Sequence, residues 1–487
     1  MAEIGLRTIP RPALGDWLAP AVGTAIFVAA LLKGSAVIGD PDIQWHVEAG
    51  RWIATHLSVP DRDPFSHSML GAPWHAHEWL SELLFWWAFH LGGWGAVATV
   101  AAASAGLAFA LLATILQRHL QPRHTLVLCT ASFALASQHL LARPHILTWP
   151  ILVLWTAALC TAVERRAPPS LFWLLLMALW ANLHGGYVFG LALAGLFAAE
   201  AIWRAEASAR AGLLLGWGAF LLAAAFASLM TPHAPAAGVR FALGFLDGSG
   251  FVAPIGEWQP ADFRTLSGLQ LVLLGILALA LLGRLRLPPF RVLLLVGLVY
   301  LALSHVRHGE LLGLVAPLAV AACLGANLYG GAVVETVPAG RGRLWGVCAS
   351  AAVLVLAPAL YFGRAEVAPP SAVAPVAALE SARSAELLGQ PVLNSFNFGG
   401  FLIFSGVPVF IDGRADFYGS TFLRRYLDAV TLTNAGALEA LLAERGIGWT
   451  MLQTGTPAIL LLDRLPGWER VYTDETAVVH RRRPGTL

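Results

Sequence analysis

Long apolar runs separated by short polar connections fill the first 363 residues of the chain. A run of about 20 apolar residues can cross the hydrocarbon of a bilayer as a helix, because a helix satisfies its backbone polar groups within the segment. The region 170–203 could also form one long helix broken at Gly185 and Gly186. The pattern predicts eleven membrane-spanning helices, near residues 17–38, 94–116, 125–141, 146–163, 170–184, 187–203, 211–230, 266–283, 292–304, 310–326 and 344–363.

The composition leads to the same prediction. Hydrophobic residues make up 57% of the 487 positions and charged residues only 12%, whereas soluble domains are about 45–50% apolar and about 25% charged. A net charge of +2 without a basic block argues against a nucleic-acid partner. We therefore expect an α-helical polytopic membrane protein surrounded by membrane lipids.

The arginines predict the orientation of the spans. Short loops rich in arginine stay on the cytoplasmic side, and the arginines are concentrated on the loops that lie inside when the N-terminus is cytoplasmic. With eleven spans the polar tail 364–487 then lies outside. We expect a multi-pass membrane protein with a cytoplasmic N-terminus, a transmembrane domain over 1–363 and an outer domain over 364–487.

The tail has the pattern of a small α/β domain, in which short apolar strands alternate with amphipathic helices. The predicted strands lie at 392–395, 409–413, 449–453 and 471–480, and the predicted helices at 420–431, 434–445 and 456–464.

The first outer loop, 39–93, begins with an acidic motif, Asp40-Pro41-Asp42. The spacing of Trp45, Ala49, Trp52 and Ile53 then predicts an amphipathic helix, which should lie in the membrane interface. The apolar run 79–91 is too short to cross and predicts a second interfacial or re-entrant helix. The two aspartates could also simply cap the first of these helices.

Further polar residues recur beside spans on the same side. An ionisable group near bilayer depth costs roughly 2.5–3.5 kcal/mol, so such groups normally line a cavity or pair with each other. We expect them to share one outward-facing cavity, although Arg143 and Arg307 could be interfacial side chains and His184 a core histidine in a tight helix turn. The residues concerned are Arg143, His145, His184, Glu257, His305, Arg307 and His308.

The chain resembles bacterial integral-membrane proteins placed near the GT-C glycosyltransferase superfamily. The resemblance is spread over both ends of the sequence, in the first outer loop and in the tail. Its motifs are Asp40-Pro41-Asp42-x-x-Trp45-His46, Val59-Pro60-x-x-Asp63-Pro64-Phe65-Ser66, Trp74-x-x-x-Glu78-Trp79, Asn397-Phe398-Gly399-Gly400 and Phe410-Ile411-Asp412-Gly413-Arg414.

The resemblance implies a membrane enzyme that moves a sugar from a polyprenyl-phosphate-linked donor to a lipid or glycan acceptor at the periplasmic face. Because no nucleotide-sugar pool exists there, a lipid-carried donor suits an outward site. No tryptophan-rich acceptor signature of oligosaccharyltransferases is found, which argues against a peptide acceptor. The alternatives are a ligase for a preassembled lipid-linked glycan and a lipid or glycan transporter, for which internal repeats are expected but not found.

The same hypothesis assigns roles to individual residues. Asp42 is the general base for an inverting transfer, and Asp40 either orients it or holds a divalent cation such as Mg²⁺ or Mn²⁺, so that metal dependence stays open. The donor phosphate is assigned to Arg143, Arg307, His308 and His305. The second-rank candidates for the substrate site are His46, Glu78, His145, His184 and Glu257.

In the tail, Asp412, Arg414, Asp416 and Tyr418 alternate with other residues and would share one face of an extended segment. They would contact the acceptor or pair with the membrane domain.

Overall fold

The chain is helical over most of its length. The structure, a computed structural model, describes residues 8–9, 15–233, 259–330, 333–334, 341–362 and 367–483. Its helices are α1 (Gly15–Leu32), α2 (Ile43–His56), α3 (Trp79–Leu116), α4 (Pro122–Ala136), α5 (Pro144–Leu147), α6 (Trp149–Arg165), α7 (Leu174–Leu183), α8 (Tyr187–Trp203), α9 (Ala207–Ser228), α10 (Gly268–Leu281), α11 (Pro289–Ser304), α12 (Gly309–Tyr329), α13 (Arg341–Phe362), α14 (Val376–Ser384), α15 (Gly399–Phe404), α16 (Ala415–Thr431), α17 (Ala437–Glu444) and α18 (Ala458–Leu462).

Each apolar run contains a helix, but the predicted number of membrane crossings is not confirmed. Among the described residues, five helical segments are long and apolar enough to cross a membrane. Four further apolar helices are shorter, so several apolar helices, rather than eleven established spans, characterise this multi-pass architecture. The five segments are Gly15–Leu32, Trp79–Leu116, Ala207–Ser228, Val306–Tyr329 and Trp345–Phe362.

Two predicted helix breaks are confirmed. Within α3 the backbone leaves the helical region at Gly92 and Gly93, and Gly93 has a φ of 61°, so the run 79–91 is a helix distinct from the one that follows. At His184 the chain is extended, so α7 and α8 are two helices rather than one.

The described chain divides into two compact units. The helical unit contains the described residues up to 34, 98–233 and 259–362, and the mixed unit contains 35–97 and 367–483. The first outer loop thus belongs to the same unit as the tail. The sequence-based domain boundary at 363–364 stays a prediction.

In the helical unit, α12 is the central helix and packs on α4, α6 and α11, while α1 packs along α13. A buried ion pair ties two helices together, because Arg291 Nε lies 2.7 Å from Glu200 Oε2. Small residues allow close approach: a Cβ on Gly23 would lie 2.7 Å from the Cβ of Ala110. A short parallel pairing joins β1 (Thr8–Ile9) to β2 (Val333–Val334).

The mixed unit is built around a four-stranded sheet with the strand order β3-β4-β6-β5. Here β3 (Val392–Asn394) is parallel to β4 (Trp449–Gln453), and β6 (Ala477–Arg482) is antiparallel to both β4 and β5 (Trp468–Thr473). Because successive strand residues face opposite sides, Met451 and Leu452 enter different cores. The α/β architecture predicted for the tail is present.

One face of this sheet is covered by the first outer loop. Trp45, Ala49 and Trp74 share a buried core with Phe401 and Trp449. Helix α2 packs on α15, and the chain around Phe65 and His67 exchanges backbone hydrogen bonds with Val409. The loop predicted to be interfacial therefore provides part of the tail's hydrophobic core.

Three details of the tail prediction were wrong. Segment 409–413 is not a strand, since Val409 makes only an isolated bridge with Ser66. Asp412 accepts a hydrogen bond from the Arg414 backbone N–H at 3.0 Å, which turns the chain into α16, so Asp412–Tyr418 is not extended. Segment 471–480 is a hairpin, whose turn is closed by two backbone N–H groups donating to Asp474.

Candidate active site

The motifs from the two ends of the chain meet in the mixed unit. The glycines of the Asn-Phe-Gly-Gly motif lie where backbones touch: a Cβ on Gly400 would be 2.2 Å from the Pro41 carbonyl oxygen, and one on Gly399 would be 2.4 Å from that of Ile411. Only glycine allows this approach. The motif therefore brings the acidic motif of the first loop and the Ile-Asp-Gly-Arg motif of the tail to one place.

Asp42 is buried at the start of α2. The residue is 6% exposed, and its Oδ1 occupies the space beside Gly413, only 1.6 Å from where a Cβ of that glycine would lie. Asp40 is also buried, and its Oδ1 accepts a hydrogen bond from the Asp42 N–H at 2.8 Å. This bond fixes the backbone at the start of α2, and the roles assigned to Asp40 stay predictions.

A buried acid–arginine cluster, formed by Asp63, Asp412, Arg414 and Tyr418, lies next to Gly413. Arg414 Nη1 donates to Asp63 Oδ1 at 2.7 Å, while its Nε and Nη2 donate to Asp412 at 2.8 and 2.7 Å. Tyr418 donates its hydroxyl proton to Asp412 Oδ2 at 2.7 Å. Burial, followed by the neighbouring Asp412 carboxylate, raises the pKa of Tyr418 well above its ordinary value, so the hydroxyl remains a donor.

Arg414 lies among aromatic rings, over Trp74 at 4.6 Å, Phe417 at 4.9 Å and Phe65 at 5.3 Å. Its side chain is 1% exposed. The tail residues Asp412, Arg414 and Tyr418 bond to one another, and Arg414 also pairs with Asp63 of the first loop. These three tail side chains therefore have a structural role. Asp416 differs, because its side chain is 60% exposed.

His46 lies between two carboxylates one turn further along α2. Its Nε2 is 3.8 Å from Glu78 Oε2, and its Nδ1 is 3.7 Å from Glu82 Oε1. Glu82, which is 1% exposed, was missed by the sequence analysis. Its position four residues after Glu78 in a predicted helix was a usable signal, because residues i and i+4 share a face.

The described residues do not complete a metal site of the kind considered for Asp40 and Asp42. Mg²⁺ and Mn²⁺ prefer several oxygen ligands in octahedral geometry, and no group of three or more His, Cys, Asp or Glu side chains in the described ranges is placed to hold an ion. One Asp40 oxygen is also engaged by the backbone.

In the helical unit a second group of polar side chains, the histidine cluster, consists of His139, His145, His184 and Glu310. His145 Nε2 is 3.1 Å from the His139 carbonyl oxygen and 3.5 Å from Glu310 Oε2. The His145 and His184 ring centroids are 6.2 Å apart. Trp149 donates to Glu310 at 3.0 Å. The structure thus brings together loops that the sequence analysis expected to meet.

The histidines and arginines of this region differ in charge. Burial, followed by the positive charge of Arg143, lowers the pKa of His145 to about 3. Burial and Arg307 also lower the pKa of His305. Burial therefore favours the neutral form of these two histidines, and the guanidinium groups of Arg143 and Arg307 carry the positive charge of this region.

Two further predicted site residues, His308 and His184, each contact a neighbouring residue. His308 is buried, with its ring centroid 5.2 Å from that of His305. His184 Nδ1 accepts a hydrogen bond from the Gly186 N–H at 3.0 Å, as expected for a histidine in a tight helix turn. Glu257 lies outside the described residues. Glu310 was not singled out from the sequence, although it follows His308 in the first turn of α12.

Comparison with known proteins gives matches only among solved structures. No protein-family model and no curated protein sequence matches the chain. The chain is similar to the apo oligosaccharyltransferase of Archaeoglobus fulgidus, with 11% identity, 90% of this chain and 69% of that chain covered, and a TM-score of 0.49. It is also similar to ArnT from Cupriavidus metallidurans bound to undecaprenyl phosphate, with 14% identity, coverage of 96% and 98%, and a TM-score of 0.48.

TM-scores of 0.49 and 0.48 support no conclusion about the donor, the acceptor or the mechanism in this chain.

Proposed function

We propose that this protein is a membrane glycosyltransferase that moves a sugar from a polyprenyl-phosphate-linked donor to a lipid or glycan acceptor at the periplasmic face. The observation that carries the proposal is the position of Asp42, which is buried against Gly413 where the motifs from both ends of the chain meet. A carboxylate held in a fixed place by two distant segments suits a general base.

In the proposed reaction, Asp42 accepts the proton of the acceptor hydroxyl. The acceptor oxygen forms a bond to the anomeric carbon of the sugar, while the bond from that carbon to the donor phosphate oxygen breaks. The electron pair of this bond leaves with the polyprenyl phosphate, and the anomeric configuration inverts. Asp40 keeps Asp42 oriented through the hydrogen bond to its backbone.

We assign binding of the donor phosphate to Arg143 and Arg307. Arginine suits phosphate because its guanidinium is always charged and donates paired hydrogen bonds. His305 and His308 would add neutral ring donors, and His46, Glu78, His145 and His184 remain candidates for contacts with substrate.

The test is transfer of radiolabelled sugar by the purified protein in liposomes, with polyprenyl-phosphate sugars as donors and lipid or glycan acceptors. Asp42→Asn keeps the shape of the side chain and removes the base, so transfer should fall about 100-fold or more. Asp61→Asn, an exposed aspartate of the same loop, is the matched control and should retain activity.

Full transfer by a folded Asp42→Asn variant would contradict the assignment of the base. Movement of the donor across the bilayer without transfer of its sugar would support a transporter instead. Transfer of a preassembled glycan, but not of a single sugar, would support a ligase.

A further inference from the structure

The contact between Asp42 and Gly413 is unusually specific. The three atoms nearest to a Cβ placed on Gly413 all belong to the Asp42 carboxylate, at 1.6, 2.6 and 3.1 Å. Gly413 is not among the described glycines with positive φ, so its backbone conformation does not itself require glycine. The side chain that glycine leaves out is therefore replaced by the carboxylate of Asp42.

Gly413 itself is held on both sides. Its neighbour Asp412 accepts three hydrogen bonds from Arg414 and one from Tyr418. Its other neighbour, Arg414, reaches Asp63 at 2.7 Å. A buried charge pair with these additional bonds fixes the backbone between them, because breaking it would leave an uncompensated buried charge.

The first-loop partner is held just as firmly. Asp63 Oδ2 accepts hydrogen bonds from the Ser66 N–H at 3.0 Å and the Ser66 hydroxyl at 2.5 Å, and its Oδ1 accepts one from the Phe65 N–H at 3.1 Å. Asp63 is 2% exposed. The acid–arginine cluster therefore links the first loop to the tail beside the place where Asp42 lies.

We propose that Gly413, held by the acid–arginine cluster, is a positioning residue that fixes the carboxylate of Asp42 for proton transfer. This inference rests on the proposed function, because it takes Asp42 to be the base. Arg414 is assigned no contact with substrate, since each of its three side-chain nitrogens donates to Asp63 or Asp412 and aromatic rings lie against the guanidinium. Its effect reaches the reaction through Gly413.

The test is Gly413→Ala, which places a methyl group where Asp42 Oδ1 lies and displaces the carboxylate with little other change. A misplacement of about 1 Å can cost about 100-fold in rate, so we expect kcat to fall about 100-fold with KM nearly unchanged. The matched control is Gly389→Ala in the same unit, where an added Cβ meets nothing within 4 Å, and it should behave as wild type.

A second readout does not depend on transfer. Reaction of Asp42 with a water-soluble carbodiimide, followed by mass spectrometry of the peptide, reports the accessibility of its carboxylate. Displacement by Gly413→Ala should increase the labelling of Asp42 several-fold, whereas Gly389→Ala should not change it.

The outcomes separate the two proposals. Wild-type kcat and unchanged labelling in Gly413→Ala would overturn the positioning role, even if Asp42→Asn is inactive. If the wild-type protein transferred no sugar but Gly413→Ala still increased the labelling of Asp42, the proposed function would be refuted. The role of Gly413 in positioning the carboxylate would be retained. A rise in KM as large as the fall expected for kcat, with kcat itself unchanged, would show that Gly413 acts on substrate binding. That result would also overturn the inference.

Discussion

The two polar clusters of this protein differ in the partners and in the charge of their buried ionisable groups. In the acid–arginine cluster, Arg414 and two aspartates are almost completely buried and are joined by bonds of 2.7 and 2.8 Å. In the histidine cluster, His145 is also buried, though less completely, and its partners are a carbonyl oxygen at 3.1 Å and a carboxylate at 3.5 Å. A buried group stays charged only where its partners offset the loss of hydration, and at His145 burial and the positive charge of Arg143 lower the pKa in spite of the carboxylate.

This difference assigns separate tasks to the two clusters. The paired charges of the acid–arginine cluster are satisfied within the protein and serve to hold backbone in place. Near the histidine cluster, the half-buried arginines Arg143 and Arg307 carry the positive charge while His145 does not. We therefore expect substitutions in the first cluster to affect stability and those beside the second to affect binding of an anionic ligand.

The largest effect is expected for Arg414→Met, which leaves Asp63 and Asp412 buried without their cation. Breaking a buried pair in this way costs about 3–5 kcal/mol of unfolding free energy. Thermal unfolding in detergent should show a clearly lower melting temperature. Arg383→Met, at an arginine whose side chain is 57% exposed, is the control and should melt as wild type does. Equal melting temperatures for both variants would show that the acid–arginine cluster does not hold the mixed unit together.

A smaller effect, on affinity rather than stability, is expected for Arg307→Gln. A hydrogen bond to a charged group contributes about 1.5–3 kcal/mol, so the affinity for polyprenyl phosphate should fall roughly 10–100-fold. Native mass spectrometry of lipid binding measures this change. Arg264→Gln, where the arginine side chain is 90% exposed, is the control. If Arg307→Gln lowered the melting temperature without weakening lipid binding, the proposed difference between the two clusters would be wrong.

The smallest effect at neutral pH is expected for His145→Gln, because a neutral side chain replaces a neutral one. The effect should grow on acidification. Below the ordinary histidine pKa of about 6.5 the unfolded chain binds a proton at His145, whereas in the folded protein the pKa is about 3. Wild-type stability should therefore fall as the pH decreases from about 6.5 toward the folded pKa.

The variant should lose less stability over this range, as measured by melting temperature against pH. Parallel curves for wild type and His145→Gln would show that His145 is not held neutral in the folded protein.

The helices could be placed from the sequence because an apolar run has few alternatives to a helix in a membrane. The break near Gly92 and Gly93 could be predicted because the apolar run before it was too short to cross a membrane. The error at 409–413 has a cause that periodicity cannot report. There the Asn394 side chain accepts a hydrogen bond from the Phe410 N–H at 2.9 Å and donates one to the Ile411 carbonyl oxygen at 2.7 Å, in place of strand pairing.

Part of the candidate site was also predictable. Asp42 could be identified because an acidic motif follows the first apolar run, and the motifs of the tail carry the same resemblance. Gly413 and Asp63 could not be assigned their roles, because nothing in local spacing says which residue a side chain will meet 351 positions away. Glu82 and Glu310 are intermediate cases, visible as helix neighbours of predicted residues but not as members of a cluster.

Hydropathy and residue spacing were sufficient to predict a helical membrane protein with an α/β tail and an acidic first loop. Burial in lipid and the periodicity of helices and strands depend on residues that are close together in the sequence. The pairing of that loop with the tail, the burial of Arg414 between two aspartates and the neutrality of His145 became known from the folded chain. These depend on long-range packing, which determines how much water and which opposite charge surround each group, and those surroundings fix its charge and its role.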